Sequence, residues 1–129
     1  MTDYSKMSDA EINQEVTCTL NPEAKRMPLI ADGSCFYDCG PDGSSFFEIP
    51  VRDYCNSWAD AGPITQQSGI ALMPDSTAGW WIAFTDFTLY DGDWLFASDP
   101  ANHACGSNPL RAAMIVFLMI KDAEKEQGK

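Results

Sequence analysis

The sequence predicts an α+β fold in which three helices pack on a short antiparallel sheet in a sandwich-like arrangement. Three segments carry helix start signals, and aromatic, β-prone segments joined by turn residues indicate antiparallel hairpins. The 129 residues are about enough for one ordinary domain, and the 45% of apolar residues are enough to fill one core. We therefore expect a single domain spanning residues 1–129.

Two of the predicted helices precede the aromatic segments. Ser8 is followed three residues later by Glu11, the spacing of a capping box, and Pro22 limits the helix that starts there. A second, shorter helix is predicted at residues 57–67, and Gly69 fits the position just past its end. Neither helix carries a catalytic motif, so both are expected to serve packing.

The last helix has the clearest signals. Asn108 is a capping residue, Pro109 suits the first helical position, and residues 110–121 contain no breaker. The charged residues 122–129 are expected to fray. The run 114–120 leaves almost no polar face, so this helix is either deeply buried or half-covered by a second copy of the chain, and we expect a homo-oligomer. The run is too short to span a bilayer.

The strand predictions rest on apolar segments separated by turn residues. Gly40-Pro41-Asp42-Gly43 and Asp91-Gly92 are turn sequences flanked by such segments. In chain order, strands are predicted at residues 34–38, 46–51, 70–73, 80–85, 87–90 and 94–97, with 70–73 short and buried. The four tryptophans are therefore expected to serve mainly sheet packing.

The net charge of −11 is concentrated in the middle of the chain. Residues 27–110 contain eleven Asp and Glu residues and a single cation, Arg52. This charge disfavours direct binding to nucleic acid, because that affinity comes from Lys and Arg on phosphates. Two interpretations stay open: a solvated acidic surface, or an acidic face that docks on a basic protein surface. The candidate acidic face comprises Asp86, Asp91 and Asp93.

No convincing active site is present. His103 is the lone histidine and lies in what reads as a polar loop before the last helix. A zinc site from Cys35, Cys39, His103 and Cys105 is disfavoured, because close Cys-x-x-Cys pairs are missing. We therefore predict a non-catalytic protein without metal or cofactor, and keep a metal-dependent enzyme as a minor alternative. No secretory signal is seen, so reduced thiols and a cytoplasmic location are expected.

Two predicted helix starts are candidates for an anion site. One lies near Asn56-Ser57 and the other near Asn108-Pro109, and helix N-termini attract anions. If the fold brings them together, they can form a pocket for a small anionic ligand; ordinary capping is the alternative. The candidate pocket residues are Tyr54, Asn56, Ser57, Trp58, Asn108 and Arg111.

Three segments together resemble the NinX family of temperate-phage accessory proteins. They are MSDAEIN at 7–13, DYCNSWADAGPI at 53–64 and NPLRAAMIVFLM at 108–119. The hairpin region and the aromatic strands after Asp75 match poorly and are longer here. The resemblance implies an α/β/α sandwich and a phage gene expressed in the bacterial cytoplasm, among dispensable genes that tune the host or blunt its defences. The resemblance implies no specific biochemical activity. It does favour a ligand site at the two helix starts, because the matching segments lie there.

Two functional hypotheses follow. The first is a binding protein that sequesters a small anionic, nucleotide-type ligand, plausibly to counter host defence. The second is an acidic, DNA-mimic-like inhibitor that docks on a basic surface of a host protein. The expected partner is thus either a small anion or a basic host protein, with neither nucleic acid nor membrane bound directly.

Overall fold

The fold consists of three α-helices and small antiparallel sheets, as a computed structural model shows. It describes residues 3–40, 46–76, 79–85, 87–90, 93–96 and 102–127, with the backbone alone for 87–90 and 93–96. The helices are α1 (Asp9–Leu20), α2 (Trp58–Gln67) and α3 (Pro109–Gln127), and short 3₁₀ helices lie at Tyr4–Lys6 and Pro22–Arg26. The strands are β1 (Cys35–Asp38), β2 (Phe47–Pro50), β3 (Ala71–Asp75), β4 (Trp80–Phe84), β5 (Phe87–Tyr90), β6 (Asp93–Phe96) and β7 (His103–Gly106). The predicted α+β class is confirmed.

The start of α1 has the predicted capping box. The backbone N–H of Glu11 donates to the Ser8 hydroxyl, and the N–H of Ser8 donates to the Glu11 carboxylate, each at 3.1 Å. Ile12 and Val16 lie on the buried side of the helix. Asn21 caps the other end before Pro22, as predicted. Local sequence therefore determines both ends of α1.

Among the described residues, the β-structure forms three separate antiparallel sheets. The two predicted hairpins form, as β1–β2 and β5–β6, although residues 41–45 and 91–92 of their predicted turns lie outside the described residues. The third sheet has the order β3-β4-β7. The interpretation of His103 as part of a polar loop was wrong: β7 pairs with β4 from Trp81↔Gly106 to Phe84↔His103. The composition of residues 103–106 gives no strand signal of its own. The strand depends on pairing with β4, which lies about 20 residues earlier in the chain.

β3 is less buried than predicted. Ile70 is buried, but the strand itself runs from Ala71 to Asp75, and Met73 is 43% exposed. Within the described residues, β3 lies at the edge of the three-stranded sheet, and this position leaves it more exposed. An edge also tolerates Pro74, which has no N–H to donate.

α3 occupies the middle of the molecule. One side contacts β3, β4 and β7, and the other contacts α1 and α2. Residues 112–118 are all buried as a result. The helix is apolar all round because the chain itself covers both sides, so this feature no longer argues for a second copy. The homo-oligomer stays a prediction.

α3 is also longer than predicted. It continues past Lys121 to Gln127. The hydroxyl of the buried Tyr4 donates a hydrogen bond to the Asp122 carboxylate, which attaches the N-terminal segment to this part of the helix. Sequence alone does not reveal this contact, because its partners are 118 residues apart. Within the residues that are described, no helix has the length and apolar character required to cross a bilayer.

Candidate functional site

The starts of α2 and α3 meet, as the candidate pocket requires. The side-chain amide of Asn108 donates to the Cys55 carbonyl at 2.7 Å and to Asn56 Oδ1 at 3.1 Å. Asn108 immediately precedes α3, and Asn56 lies two residues before α2. One amide side chain therefore holds the two helix starts together.

The same Asn108 caps α3. Its Oδ1 accepts hydrogen bonds from the backbone N–H groups of Leu110 at 3.0 Å and of Arg111 at 3.3 Å. These are among the donors that a helix start otherwise leaves free. The start of α3 is therefore occupied by its own cap and is a poor place for an anion.

Arg111 contacts the N-terminal segment of the chain. Its Nη1 donates to Asp9 Oδ1 at 2.8 Å, and its Nη2 donates to the carbonyls of Ser5, at 3.2 Å, and Met7. The side chain is 22% exposed. Its charge is balanced and several of its donors are used within the molecule, so Arg111 has a structural role here that differs from the expected contact with a ligand.

A turn before α2 is held on α1. The buried Asn13 accepts the Cys55 N–H at 3.0 Å and donates to Asp53 Oδ1 at 3.3 Å. The same Asp53 oxygen accepts from the side-chain amide of Asn56 at 3.1 Å. Sequence analysis did not select Asn13 or Asp53 as site residues, although both lie in segments that resemble the NinX family.

Tyr54 lies in the core and away from any pocket. It is 6% exposed and packs in the cluster that includes Ile12, Val16 and Ala61. Burial raises the pKa of its hydroxyl, because the phenolate is poorly solvated there. Of the six candidate pocket residues, Tyr54 is thus unable to reach a ligand at the surface.

The start of α2 is the open part of the junction. Ser57 precedes the helix but makes no side-chain hydrogen bond to it. Trp58 follows with 60% of its surface exposed, and its indole lies over Gly62, where a Cβ atom would come within 2.8 Å of the ring. In the first turn, the N–H of Asp60 donates to the Ser57 carbonyl at 3.2 Å, and the N–H groups before it have no acceptor within their own helix. An uncapped helix start therefore lies next to an exposed aromatic ring.

Arg52 adds a cation near this helix start. Its Nη1 lies 4.0 Å from Asp60 Oδ1 in the first turn of α2, and its side chain is 60% exposed. The ion pair is long and solvated, so it contributes little to stability. Arg52 was noted in the sequence only as the lone cation of the acidic middle, and that isolation is the signal that could have selected it.

The cavity nearest the start of α3 is small. It measures about 170 Å³ and is lined by Asn108, Arg111, Ala112 and Ile115 together with residues 105–107. Pockets for nucleotide-sized ligands are roughly 300 Å³ or larger. This cavity is therefore too small to enclose a nucleotide-sized ligand.

The predicted acidic face lies largely outside the described residues. Asp86 and Asp91 are not described, and only the backbone of Asp93 is, at the start of β6. A second candidate surface is described beside the β1–β2 hairpin. It is an open groove of about 440 Å³ lined by Leu29, Ile30, Ala31, Tyr37 and Phe46, which we call the hairpin groove.

The hairpin groove combines apolar and acidic groups. Phe46 is exposed and its ring stacks on Tyr37 with the ring centres 6.3 Å apart. Asp32, Asp38 and Glu48 are exposed on the same hairpin segment. The groove thus has an apolar lining, and three exposed carboxylates belong to the same part of the chain, in which residues 30–40 and 46–51 contain no Lys or Arg and Arg52 follows directly.

The cysteines are free thiols. Cys35 and Cys55 are buried, Cys39 and Cys105 are exposed, and Cys18 is intermediate. Burial, followed by the nearby Asp9 charge, raises the pKa of Cys55 to about 12, so this thiol stays neutral. Among the residues with described positions, no three His, Cys, Asp or Glu side chains are grouped as a metal site would require.

Comparison with known proteins gives one assignment. No curated protein and no solved structure matches the chain significantly. A family model described as "Bacteriophage P22, NinX" matches residues 3–121. This match spans α1, α2 and the first two-thirds of α3, including every segment that carries the sequence resemblance. The chain therefore belongs to the phage NinX family.

Proposed function

We propose that this protein is a non-catalytic phage accessory protein that binds and sequesters a small anionic, nucleotide-type ligand at the start of α2. The observation that carries the proposal is the pairing of an uncapped helix start with the exposed Trp58. Such a protein needs no turnover. Removal of a nucleotide-type signal by binding is a direct way for a phage to weaken a host defence.

The chemistry of the surface suits one phosphate and one base. The N–H groups and the dipole of a helix start favour an anion, and Arg52 adds a positive charge beside them. The indole of Trp58 offers a face on which a base can stack. The carboxylates of Asp53 and Asp60 lie close by, so a ligand with several phosphates would be repelled. We therefore favour a ligand with a single phosphate or a cyclic phosphate.

The test compares two exposed tryptophans. Trp58 is 60% exposed at the start of α2, whereas Trp80 is 53% exposed on β4. Calorimetric titration with nucleoside monophosphates and cyclic nucleotides should show binding that Trp58→Ala weakens by about tenfold or more, since base stacking contributes roughly 1–3 kcal/mol. Trp80→Ala should leave the affinity unchanged. Equal affinity in the two variants, or no binding by the unchanged protein, would refute the proposal.

A second pair of variants tests the charge. Arg52→Gln should weaken the same ligand severalfold, because it removes the cation nearest to the helix start. Arg26→Gln removes an exposed charge of the same kind from the 3₁₀ helix at Pro22–Arg26 and is the matched control. If both variants weaken binding equally, only net charge matters and the site is elsewhere.

The hairpin groove favours a second candidate function. Exposed aromatic side chains with carboxylates around them are what a docking surface for a basic protein requires. In this alternative the protein is an acidic inhibitor that occupies a basic, DNA-binding surface of a host protein. Its complex should dissociate as salt is raised, because exposed charges are screened.

This candidate has its own test. A DNA-binding host protein captured at low salt should be displaced by DNA. The double variant Asp32→Asn, Asp38→Asn should lose capture if the hairpin groove is the interface. The triple variant Asp86→Asn, Asp91→Asn, Asp93→Asn should lose it if the face predicted from sequence is used. Capture that survives both variants would contradict an acidic docking surface.

A further inference from the structure

Three lysines converge on one cavity at the far end of α3. The cavity measures about 310 Å³, and Lys25, Lys121 and Lys125 line it together with Glu124. Cys18 and Thr19 of α1 and Pro22 complete the lining. Lys25 comes from the 3₁₀ helix at Pro22–Arg26 and the other two lysines come from α3, so tertiary structure brings them together.

This concentration of cations contrasts with the rest of the protein. The chain has eight Lys and Arg residues and a net charge of −11, yet three of the eight line this one cavity. Lys121 forms an ion pair with Glu124 at 3.4 Å and also lies 5.7 Å from the centre of the Phe117 ring. Among the described residues, Lys25 and Lys125 belong to no ion pair.

Lys25 and Lys125 line the same cavity from different elements. A side-chain hydrogen bond with Lys25, followed by the Lys25 charge, lowers the pKa of Lys125, and the nearby carboxylates of Asp122 and Glu15 only partly oppose this effect. Lysines near helix C-termini are common, because they interact with the free carbonyls there. That explanation accounts for each lysine by itself. It does not account for lysines from two different elements lining one cavity, where a bound anion would stabilise their charges.

A second groove adjoins the lysines. It measures about 510 Å³ and shares Thr19, Lys121 and Glu124 with the lysine cavity. Its lining is mixed: the apolar side chains are Leu20, Ile64, Phe117 and Ile120, and the uncharged polar ones are Thr19, Gln67 and Ser68. A molecule with one anionic end and an organic part that has both apolar and hydrogen-bonding groups therefore finds matching surfaces next to each other.

We propose that the lysine cavity binds the phosphate group of a small phosphorylated molecule, whose organic part lies in the adjoining groove. Lys25 and Lys125 contact the phosphate directly, and Lys121 is held beside it by Glu124. The site is distinct from the start of α2. It lies roughly 20 Å from Arg111 along α3.

Cys18 has no chemical role in this proposal. Its side chain lines the cavity, but burial and the neighbouring Glu15 raise the pKa of its thiol. The thiol is therefore a weak nucleophile at neutral pH. The site binds and does not react.

Inorganic pyrophosphate is the probe that isolates this site, because it has no base to stack on Trp58. We expect the full-length protein to bind it in calorimetric titration at low salt. Lys25→Gln and Lys125→Gln should each weaken binding about tenfold, the effect of one charged hydrogen bond of about 1.5 kcal/mol. Lys6→Gln is the matched control, since Lys6 is exposed on the 3₁₀ helix at Tyr4–Lys6.

The outcomes separate this site from the one proposed on α2. Loss of pyrophosphate binding in the Lys25 and Lys125 variants, with Trp58→Ala unaffected, supports the lysine cavity. No binding of pyrophosphate, or equal losses in all three lysine variants, would overturn it. Sedimentation with phosphatidylglycerol vesicles without binding of pyrophosphate would overturn the assignment to a free small molecule and make the ligand a lipid headgroup.

Discussion

Arg111 and Asp9 form an ion pair of 2.8 Å that joins the first turns of α1 and α3 across 102 residues of sequence. The same guanidinium also donates to the carbonyls of Ser5 and Met7. Sequence analysis placed Arg111 in a ligand pocket because it lies at a helix start. The structure shows that its charge holds the N-terminal segment, so mutation of Arg111 tests folding more directly than binding.

We expect Arg111→Gln to lower the free energy of unfolding by about 2 kcal/mol. The change removes hydrogen bonds from a charged donor and leaves two carbonyls and Asp9 without it. Urea denaturation measures the loss. Arg52→Gln, which removes an exposed and loosely paired arginine, should cost less than about 0.5 kcal/mol. Equal losses in the two variants would contradict a structural role for Arg111.

Tyr4→Phe should destabilise the end of α3. It removes the hydroxyl that donates to Asp122 and keeps the buried ring. We expect a loss of about 1 kcal/mol and faster hydrogen exchange in the last turns of α3. Tyr37→Phe, on the β1–β2 hairpin, is the control and should leave exchange in α3 unchanged. Unaltered exchange in Tyr4→Phe would mean that the contact does not hold the helix.

Cys55 should make stability depend on pH in the alkaline range. Burial raises its folded-state pKa from 9.0 to about 12, so the folded state retains a proton that the unfolded state loses. The stabilisation is complete below pH 9 and falls as pH rises towards 12, by at most about 1.4 kcal/mol per pH unit.

The measurement for Cys55 is urea denaturation from pH 8 to pH 11. Cys55→Ala should show a shallower decline than the unchanged protein, because it lacks the buried thiol. Parallel declines would show that other groups, such as the buried Tyr54, cause the dependence.

Gly62→Ala should affect Trp58 without unfolding the protein. An added Cβ would lie 2.8 Å from the indole, which is exposed and free to move aside. Alanine favours the helix by about 1 kcal/mol over glycine. This gain offsets the cost of moving the indole aside, so the free energy of unfolding should change little. The fluorescence of Trp58 should shift and nucleotide binding should weaken.

The control variant is Pro63→Ala, because Pro63 is exposed in the same helix. Gly69→Ala is unsuitable as a control, because the φ of +68° at Gly69 disfavours alanine.

Element positions could be predicted where the signal is local. Ser8 with Glu11 predicted the start of α1, and Asn108 with Pro109 predicted the start of α3, because a cap acts on backbone groups a few residues away. β7 was missed, since its pairing with β4 depends on residues far apart in sequence. The candidate site also contains both local and long-range contributions. Trp58 was predicted from the local sequence at the start of α2. The roles of Asn13 and Arg52 became visible only in the tertiary structure, which places distant segments beside them.

The α+β class and the concentration of charge follow from the amino-acid sequence, because periodicity, caps and composition are properties of the chain alone; the NinX family follows from the resemblance of three segments and the family-model match over residues 3–121. Which polar groups remain available to a ligand depends on the tertiary structure. Arg111 is held by Asp9, Asn108 is occupied as a cap, and Tyr54 is buried, whereas Lys25 and Lys125 meet at the surface. A side chain can act on a ligand only if the fold has left it exposed and unpaired, and exposure and pairing depend on neighbours that lie far away in sequence.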